Sequence, residues 1–382
     1  MIRLDDHRLG LYIHVPFCKA RCPYCDFYSL PSLAMADAYT DAVIEELSTL
    51  RRTRTVIGEN GMPSTVNSIY FGGGTPSHLG SERLNRILST VRSRFDVMPD
   101  AEITVECNPS GVDMPRFFAS LHAAGVNRIS LGMQSGVDEE RRSLGRAASP
   151  QRVAEVAWDA ARAGFDNISV DLMIGIPCQS LGSLEQSLSF ALTLPVTHLS
   201  VYMLKIEEGT FFYKKRDSLP LPDEDTVADM YLFVCDYLKK RGMRHYEISN
   251  FCFDDRISSH NMRYWQLGEY WGVGPGAHSL LNGRRFYYER DLAGFISGKP
   301  PVPDGTGSDA QEALMLSLRL DTGLDIPEYC QIYNLKYDKK AENFINLCVK
   351  QGLATCDGAV LCLTDRGMLV SNAIIAELSE LF

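Results

Sequence analysis

Three closely spaced cysteines constrain this chain more than any other feature. They stand at Cys18, Cys22 and Cys25, directly after the strand-like run 11–17. Thiolates at such short spacing can converge on one metal centre, and cysteine thiolates are the usual ligands of iron–sulfur clusters. Three thiolates leave one iron of a cubane without a protein ligand, and an open metal position is typical of a reactive site. The spacing therefore favours a [4Fe–4S] cluster.

Two other interpretations of the same cysteines stay open. A zinc knuckle would need a fourth ligand, for which His14 is the nearest candidate. Chance spacing is the other alternative. The remaining eight of the eleven cysteines are scattered without paired short spacing. That scatter argues against a disulfide framework.

Two motifs together resemble a known family. The segment Tyr12-Ile-His-Val-Pro-Phe-Cys-x3-Cys-x2-Cys is similar to the signature of radical S-adenosylmethionine (SAM) enzymes, in the branch of the oxygen-independent coproporphyrinogen III oxidases. The run 260–265, His-Asn-Met-Arg-Tyr-Trp, resembles a motif of the heme chaperones in that branch. Phe27 stands where the porphyrinogen dehydrogenases of the branch carry a further cysteine. The resemblance extends from about residue 11 to the C-terminus.

The hydrophobic pattern predicts an α/β fold. Strand-like runs alternate with amphipathic stretches, which indicates repeated βα units and a parallel sheet. Six units fit an incomplete (β/α)6 barrel, which the resemblance to radical SAM proteins also implies; a full eight-unit barrel is the alternative. The predicted strands are 11–16, 66–71, 102–106, 128–132, 168–173 and 197–203, and the predicted helices between them are 35–54, 81–94, 113–124, 150–163 and 180–192.

Three regions are expected along the chain. Residues 1–240 would form the radical SAM core, and 241–300 an aromatic-rich extension that carries the His260 motif. The composition of 298–307 is typical of a linker. Residues 301–382 are predicted to be a small helical domain with one hairpin at Asp357-Gly358, a winged-helix-like arrangement. Its mixed charges favour a cap or partner-docking role over DNA binding.

The bulk composition narrows the function classes. The 382 residues carry a net charge of −10, which argues against nucleic acid as a partner. The sequence contains no run of 18 or more apolar residues, so no membrane span is predicted. The first residues are charged and lack an apolar core, so no leader peptide is expected and a cytoplasmic location is predicted.

Polar and glycine residues follow the predicted strands, where barrel proteins gather their functional groups. Gly73 and Gly74 allow a backbone to approach a ligand closely, although a plain tight turn is the alternative. Glu106 can accept hydrogen bonds from ribose hydroxyls or an amine, or can be a solvated rim carboxylate. The resemblance implies that Tyr12, Gly73 and Glu106 match a first SAM site.

A second group of residues is implied by the same resemblance. These residues match positions around a second SAM or a substrate in the porphyrinogen dehydrogenases: Tyr24, Thr75, Gln134, Arg146 and Asp171. Because the further cysteine of the porphyrinogen dehydrogenases is absent here, a second bound SAM is not predicted. Gly74 is predicted to bind SAM together with Gly73, as part of the same glycine turn.

His260 is the predicted heme ligand. Imidazole is a usual axial ligand of heme iron, and the nearby Tyr264 and Trp265 offer flat apolar faces. The alternative is that this run packs the barrel mouth.

The resemblance implies a heme chaperone that binds heme, a [4Fe–4S] cluster and SAM and delivers heme to apo-hemoproteins such as respiratory enzymes. The alternatives are a coproporphyrinogen III dehydrogenase or a heme-ring-opening methyltransferase. Whether the chain is an enzyme is left open, and a chaperone without dehydrogenase activity is favoured. Peripheral contact with membrane-bound partners and a homodimer also stay open.

Overall fold

An incomplete barrel of parallel strands forms the centre of the molecule. The structure is a computed structural model, and it describes residues 8–58, 65–109 and 113–382. Neighbouring strands of the barrel pair in parallel in chain order, as the alternating pattern predicts. The six barrel strands are β1 (Leu9–Val15), β2 (Thr65–Gly73), β3 (Asp96–Cys107), β4 (Arg128–Gln134), β5 (Ile168–Ile174) and β6 (His198–Met203).

Helices cover the outer face of these strands, because their apolar sides pack on the buried strand residues. Local signals fix where several of them begin. Ser149 caps one helix before Pro150, and Ser180 with Ser183 forms a capping box on the next. The helices are α1 (Ala36–Thr49), α2 (Arg54–Ile57), α3 (Pro76–Leu79), α4 (Ser81–Arg94), α5 (Met114–Ala123), α6 (Asp138–Ser143), α7 (Pro150–Arg162) and α8 (Leu181–Ala191).

The next part of the chain adds strands to both edges of the barrel sheet. Its elements are α9 (Phe211–Lys215), a 3-10 helix (Arg216–Ser218), α10 (Glu224–Lys239), β7 (Arg244–Glu247), β8 (Asn250–Cys252), α11 (Ser259–Trp265), β9 (Tyr270–Val273), β10 (His278–Leu281), β11 (Arg284–Tyr287), α12 (Leu292–Ile296) and β12 (Val302–Thr306). Among the described residues the sheet has twelve strands in the order β12-β11-β10-β9-β1-β2-β3-β4-β5-β6-β8-β7. The aromatic-rich extension is thus part of the barrel sheet.

One sequence expectation is wrong in this region. The segment 298–307 was predicted to be a linker from its proline and glycine content, but Val302–Thr306 pairs with β11 as an edge strand. Proline is compatible with such a position because an edge strand has one side without ladder partners.

The C-terminal part is a small unit of helices and a three-stranded sheet. Its elements are α13 (Ala310–Ser317), β13 (Leu324–Asp325), α14 (Ile326–Tyr333), α15 (Lys339–Lys350), β14 (Ala354–Asp357), β15 (Val360–Leu363), α16 (Asp365–Leu369) and α17 (Ser371–Leu381). The hairpin β14–β15 turns after Asp357, as its Asp-Gly pair indicates. Lys239 of α10 contacts both carboxylate oxygens of Asp365 at 2.7 Å and so joins the two parts. Through the described part of the chain, every helix is too short or too polar to cross a membrane.

Candidate functional site

A cavity of about 360 Å³ opens at the carboxyl ends of the barrel strands. Functional groups gather at this end of parallel barrels, because the loops there converge around one opening. Most of the residues expected to hold cluster and SAM line it together: Cys18, Cys22, Tyr24, Cys25, Gly73, Gly74, Thr75, Glu106, Gln134, Arg146 and Asp171. Two expected residues, Tyr12 and His260, do not line it.

The cysteine loop is anchored at both of its ends. The amide of Cys18 donates to the carbonyl of Leu30 at 3.1 Å. Further along, Asp26 accepts a 2.9 Å ion pair from Arg290, which follows β11. The three cysteines are partly exposed and are not paired in disulfides. The loop therefore presents three free thiols to the cavity from a fixed backbone.

The spread of the three sulfurs suits a cluster better than a single zinc ion. Thiolates on one tetrahedral zinc lie about 4 Å apart, since each Zn–S bond is about 2.3 Å long. In the described part of the chain, the three sulfurs do not all lie within 4.8 Å of one another. In a cubane each thiolate binds a different iron, so the sulfurs stay further apart.

His14 is not placed as a fourth ligand. It is 4% exposed, its Nε2 lies 3.0 Å from the carbonyl of Tyr28, and its Nδ1 lies 3.2 Å from the hydroxyl of Tyr12. Burial lowers the pKa of His14 to about 4, so the ring is neutral. This ring supports the loop from behind, and the same contact explains why Tyr12 faces His14 and not the cavity.

The glycine turn after β2 packs tightly against β1. Gly73 has φ +102°, and a Cβ there would lie 2.5 Å from the His14 ring. The amides of Gly74 and Thr75 already donate to the carbonyls of Val15 and Phe17, at 2.8 and 2.7 Å. The turn therefore meets a ligand with its Cα atoms and carbonyl oxygens, which can accept from an ammonium group, and not with free amides.

Glu106 is a partly buried carboxyl in the cavity wall. Tyr70 donates its hydroxyl to Oε1 of Glu106 at 2.9 Å. Burial, and secondly the negative charge of Asp171, raise the pKa of Glu106 to about 7. Hydrogen bonds from Tyr70 and the backbone of Gly73 partly offset that rise. Glu106 can therefore accept hydrogen bonds from hydroxyl or amine groups near neutral pH.

The opposite wall is built from the ends of β4 and β5. A β-bulge between Gly132 and Gln134 gives Gln134 a left-handed φ of +69°, and such a bulge re-aims a side chain. Arg146 donates to the hydroxyl of Tyr24 at 2.7 Å, which ties this wall to the cysteine loop. Asp171 accepts from Ser130 at 3.3 Å, and burial raises the pKa of its carboxyl.

His260, the predicted heme ligand, is buried and does not line the cavity. It is 1% exposed, with Nδ1 2.9 Å from the hydroxyl of Ser68 and Nε2 2.7 Å from that of Tyr264. Its ring stacks on Tyr70, with centroids 5.2 Å apart. Both nitrogens are therefore committed, and heme iron would have to break one of these bonds. The structure makes His260 a buried support behind the Tyr70–Glu106 pair.

Sequence reasoning missed several cavity residues. Arg128 and Tyr70 line the cavity from inside the strands, and Asn261 lines it from α11. Residues i and i+2 of a strand lie on the same face. Because Ser130 lies next to Asp171 in the cavity wall, Arg128, two residues before it, could have been predicted to face the cavity. Asn261 lies within the 260–265 motif, but only the neighbouring His260 was predicted to bind a ligand.

Large exposed side chains line the cavity or follow its lining residues in the chain: Phe27 and Tyr202 line it, Met203 is next to Tyr202, and Phe211 is next to Phe212, which packs on Tyr24. We refer to Phe27, Tyr202, Met203 and Phe211 as the apolar rim; their exposed fractions are 65%, 41%, 39% and 57%. Phe27 lies in the cysteine loop, Tyr202 and Met203 end β6, and Phe211 begins α9. The amide of Phe212, next in α9, donates to Pro23 of the cysteine loop at 3.0 Å. The mouth therefore offers a flat apolar ligand a place to lie.

The comparisons with known proteins agree with this geometry. Residues 12–191 match the radical SAM superfamily, and residues 309–370 match the HemN C-terminal domain. The solved structure of coproporphyrinogen III oxidase (HemN) from Escherichia coli superposes with a TM-score of 0.79 at 22% identity, and the match covers 97% of this chain and 89% of that one. The fold and the site thus define a radical SAM protein, and that class implies a [4Fe–4S] cluster and SAM as cofactors.

Two relatives narrow the assignment further. The heme chaperone HemW of Mycobacterium tuberculosis is 36% identical over 97% of this chain and 94% of its own length. The heme chaperone HemW of Bacillus subtilis is 33% identical over 97% of this chain and 99% of its own. The chain belongs to the HemW family.

Proposed function

We propose that this protein is a heme chaperone that holds a [4Fe–4S] cluster and SAM in the barrel and carries heme at the apolar rim for transfer to apo-hemoproteins. Cys18, Cys22 and Cys25 are proposed to hold the cluster, whose open iron would supply the anchoring point for SAM. The observation that carries the proposal is the convergence of the three thiols, the glycine turn and Glu106 on one cavity, in a chain of the HemW family.

The protein's own residues divide the work in this proposal. The carbonyls of the glycine turn and the Glu106 carboxylate orient the polar end of SAM. Gln134, Arg146 and Asp171 form the wall on the far side. We propose that heme lies across the apolar rim, because a macrocycle with two large faces is stabilised by exposed aromatic and thioether side chains.

Coproporphyrinogen III dehydrogenase activity is the second candidate, supported by the match to the HemN fold. Phe27 disfavours it, since this residue replaces a cysteine of the dehydrogenase motif and is 65% exposed at the rim. An exposed phenyl group in the cysteine loop suits a porphyrin face better than a role inside the cavity.

The experiment compares the two functions directly. Anaerobically reconstituted protein is incubated with heme, and separately with coproporphyrinogen III, SAM and a reductant. A stable heme complex without decarboxylation supports the chaperone, whereas decarboxylation without heme binding replaces it with the dehydrogenase.

A rim variant then tests the location of heme. The double change Phe27→Ser and Phe211→Ser should weaken heme binding about tenfold, because two aromatic faces are lost. Leu347→Ser is the matched control, since Leu347 is 48% exposed on α15, away from the cavity mouth. Equal heme affinity in the rim variant and the control would rule out the rim as the heme site.

A further inference from the structure

Arg128 is a buried cation in the cavity wall. It is 2% exposed, and its Nε is shut off from solvent and makes no hydrogen bond. No hydrogen bond or ion pair joins its guanidinium to any residue that the structure describes. Leaving a buried charged donor unsatisfied is costly, so such a group in a cavity wall marks a place for a ligand.

The strand register places Arg128 below the residues proposed to hold SAM. Arg128 pairs with Thr104, while Ser130, two residues later on β4, pairs with Glu106. Two residues along a strand span about 7 Å, so Arg128 lies one layer deeper in the barrel than Glu106. Thr104 beside it also has a buried hydroxyl with no partner among the described residues.

Neighbouring acids do not use the guanidinium. The Glu102 carboxylate accepts the amides of Ser259 and His260 at 3.0 and 3.1 Å, so it caps the start of α11. Asp171 accepts from Ser130. Both acids balance the charge of Arg128 without a hydrogen bond to its guanidinium.

A second polar group without a partner among the described residues lines the same cavity. Asn261 lines it from α11, and its side-chain amide makes no hydrogen bond with a described residue. The cap by Glu102 and the bonds of His260 to Ser68 and Tyr264 fix the turn of α11 that carries Asn261. The motif around His260 therefore has a structural consequence, which is to hold Asn261 against the cavity.

We propose that Arg128 and Asn261 form a binding site for a carboxylate group, which we call the floor site. A guanidinium donates two parallel N–H bonds to a carboxylate, and an amide can donate a third. A phosphate is disfavoured, because Glu106 and Asp171 line the same cavity and a doubly charged anion would meet their repulsion. A singly charged carboxylate matches the single charge of Arg128.

Two ligands could supply this carboxylate, a heme propionate or the amino-acid end of SAM. The structure favours the propionate, because the glycine turn and Glu106 lie one layer above the floor site, nearer the cysteines. This choice of ligand rests on the heme binding proposed above. In this arrangement a propionate side chain enters the cavity while the macrocycle stays at the rim.

The test measures the dissociation constants of three probes: heme, its dimethyl ester, and SAM. They are compared in wild type, Arg128→Gln and Asn261→Ala, with iron content and circular dichroism confirming a folded, loaded protein. Arg256→Gln is the charge-matched control, because Arg256 is an exposed residue that pairs with Asp166 on the surface. Asn261→Ala provides a second, milder variant in case Arg128→Gln does not fold.

We expect wild type to bind heme about tenfold more tightly than the ester, since the ester cannot accept charge-assisted bonds from the guanidinium. Arg128→Gln should remove that difference, and Asn261→Ala should reduce it, while SAM affinity stays unchanged. A loss of SAM affinity alone would assign the floor site to the carboxylate of SAM.

The remaining outcomes separate this inference from the proposed function. If wild type binds heme and its ester equally, and both variants bind every probe like wild type, the floor site is overturned. The chaperone proposal is then unaffected. A wild type that binds no heme, with SAM weakened in Arg128→Gln, overturns the chaperone and leaves the floor site standing.

Discussion

Tyr70 donates its hydroxyl to Oε1 of Glu106 at 2.9 Å, inside a wall whose other acid is Asp171. This bond favours the ionised form of Glu106, while burial and Asp171 oppose it and raise the pKa of Glu106 to about 7. The protonation state of the central acid of the cavity is thus set close to neutral pH by two opposing influences.

Binding of SAM should therefore depend on pH. The carboxylate accepts hydrogen bonds and the protonated acid accepts them poorly, so affinity should fall as the pH drops from 8 to 6, with a midpoint near 7. Tyr70→Phe removes a bond to the ionised form and should move the midpoint to higher pH. Glu106→Gln should flatten the profile; a profile in Glu106→Gln that still follows wild type would assign the titration to another group. Equilibrium dialysis across this pH range measures it.

The cluster cysteines give a second prediction. Replacing Cys18, Cys22 and Cys25 together by Ser should remove the broad absorption near ~400 nm and the roughly four irons per chain of the reconstituted protein. Cys178→Ser is the control, because Cys178 is an exposed free thiol that does not line the cavity. Iron content that persists in the triple variant would show that other residues hold the cluster.

Gly73→Ala should weaken SAM binding more than tenfold, because its Cβ would press on the His14 ring from 2.5 Å. Gly80→Ala is the control, because it introduces backbone strain without a contact to another residue. Gly80 has a similar φ of +92°, but a Cβ there meets nothing within 4 Å. Both glycines have a positive φ, so an added side chain strains the backbone in both variants. Calorimetric titration with SAM should find Gly80→Ala close to wild type; equal losses in the two variants would refute a role for the contact.

His260→Ala should destabilise the fold and lower heme affinity no more than Asn261→Ala does, because His260 acts on the ligand only through the turn that carries Asn261. Two buried side-chain hydrogen bonds are lost and a cavity is created, so the free energy of unfolding should fall by about 2–4 kcal/mol. Tyr264→Phe, which deletes one of these bonds and keeps the ring, should cost less. Urea denaturation and heme titration measure the two effects. A variant of normal stability that no longer binds heme would restore His260 as the axial ligand.

Acid should weaken the contact between the barrel and the C-terminal unit. Hydrogen bonding from His245, and then from Lys239, lowers the pKa of Asp365 to about 2. A depressed acid pKa stabilises the fold at pH values above its unfolded pKa, and that contribution is lost as the pH falls from about 4 towards 2. Asp365→Asn should therefore lower the free energy of unfolding by roughly 1–2 kcal/mol at pH 7, and much less at pH 2. Urea midpoints at both pH values test this. The exposed Asp217→Asn serves as control, and equal losses at both pH values would contradict the electrostatic cause.

The barrel was predictable from sequence, because each βα unit carries a local alternation of apolar and polar residues. The six predicted strands match β1 to β6 within a few residues at most ends. The six strands from β7 to β12 were not predicted. They are three to five residues long, and β9 is defined by pairing with the distant β1, which no local pattern records.

The candidate site, too, could be predicted from the sequence only in part. Residues at strand ends, such as Glu106 and Asp171, follow from position alone, and the structure brings them to one cavity. The environment of His260 depends on Ser68, which lies 192 residues away in the chain. A motif shows which residues belong together, but burial and hydrogen bonding decide which of them meets the ligand.

The pairing of β1 with β9, and the ion pair between Asp26 and Arg290, set an order of events during synthesis. The two charged residues are 264 positions apart, so the segment with the cysteines leaves the ribosome long before its partners do. At translation speeds of about 5–20 residues per second, that interval lasts on the order of tens of seconds. The thiols emerge first, but their loop reaches its final shape only when the last third of the chain arrives. We therefore expect iron to enter the cysteine loop only after most of the polypeptide has been synthesised.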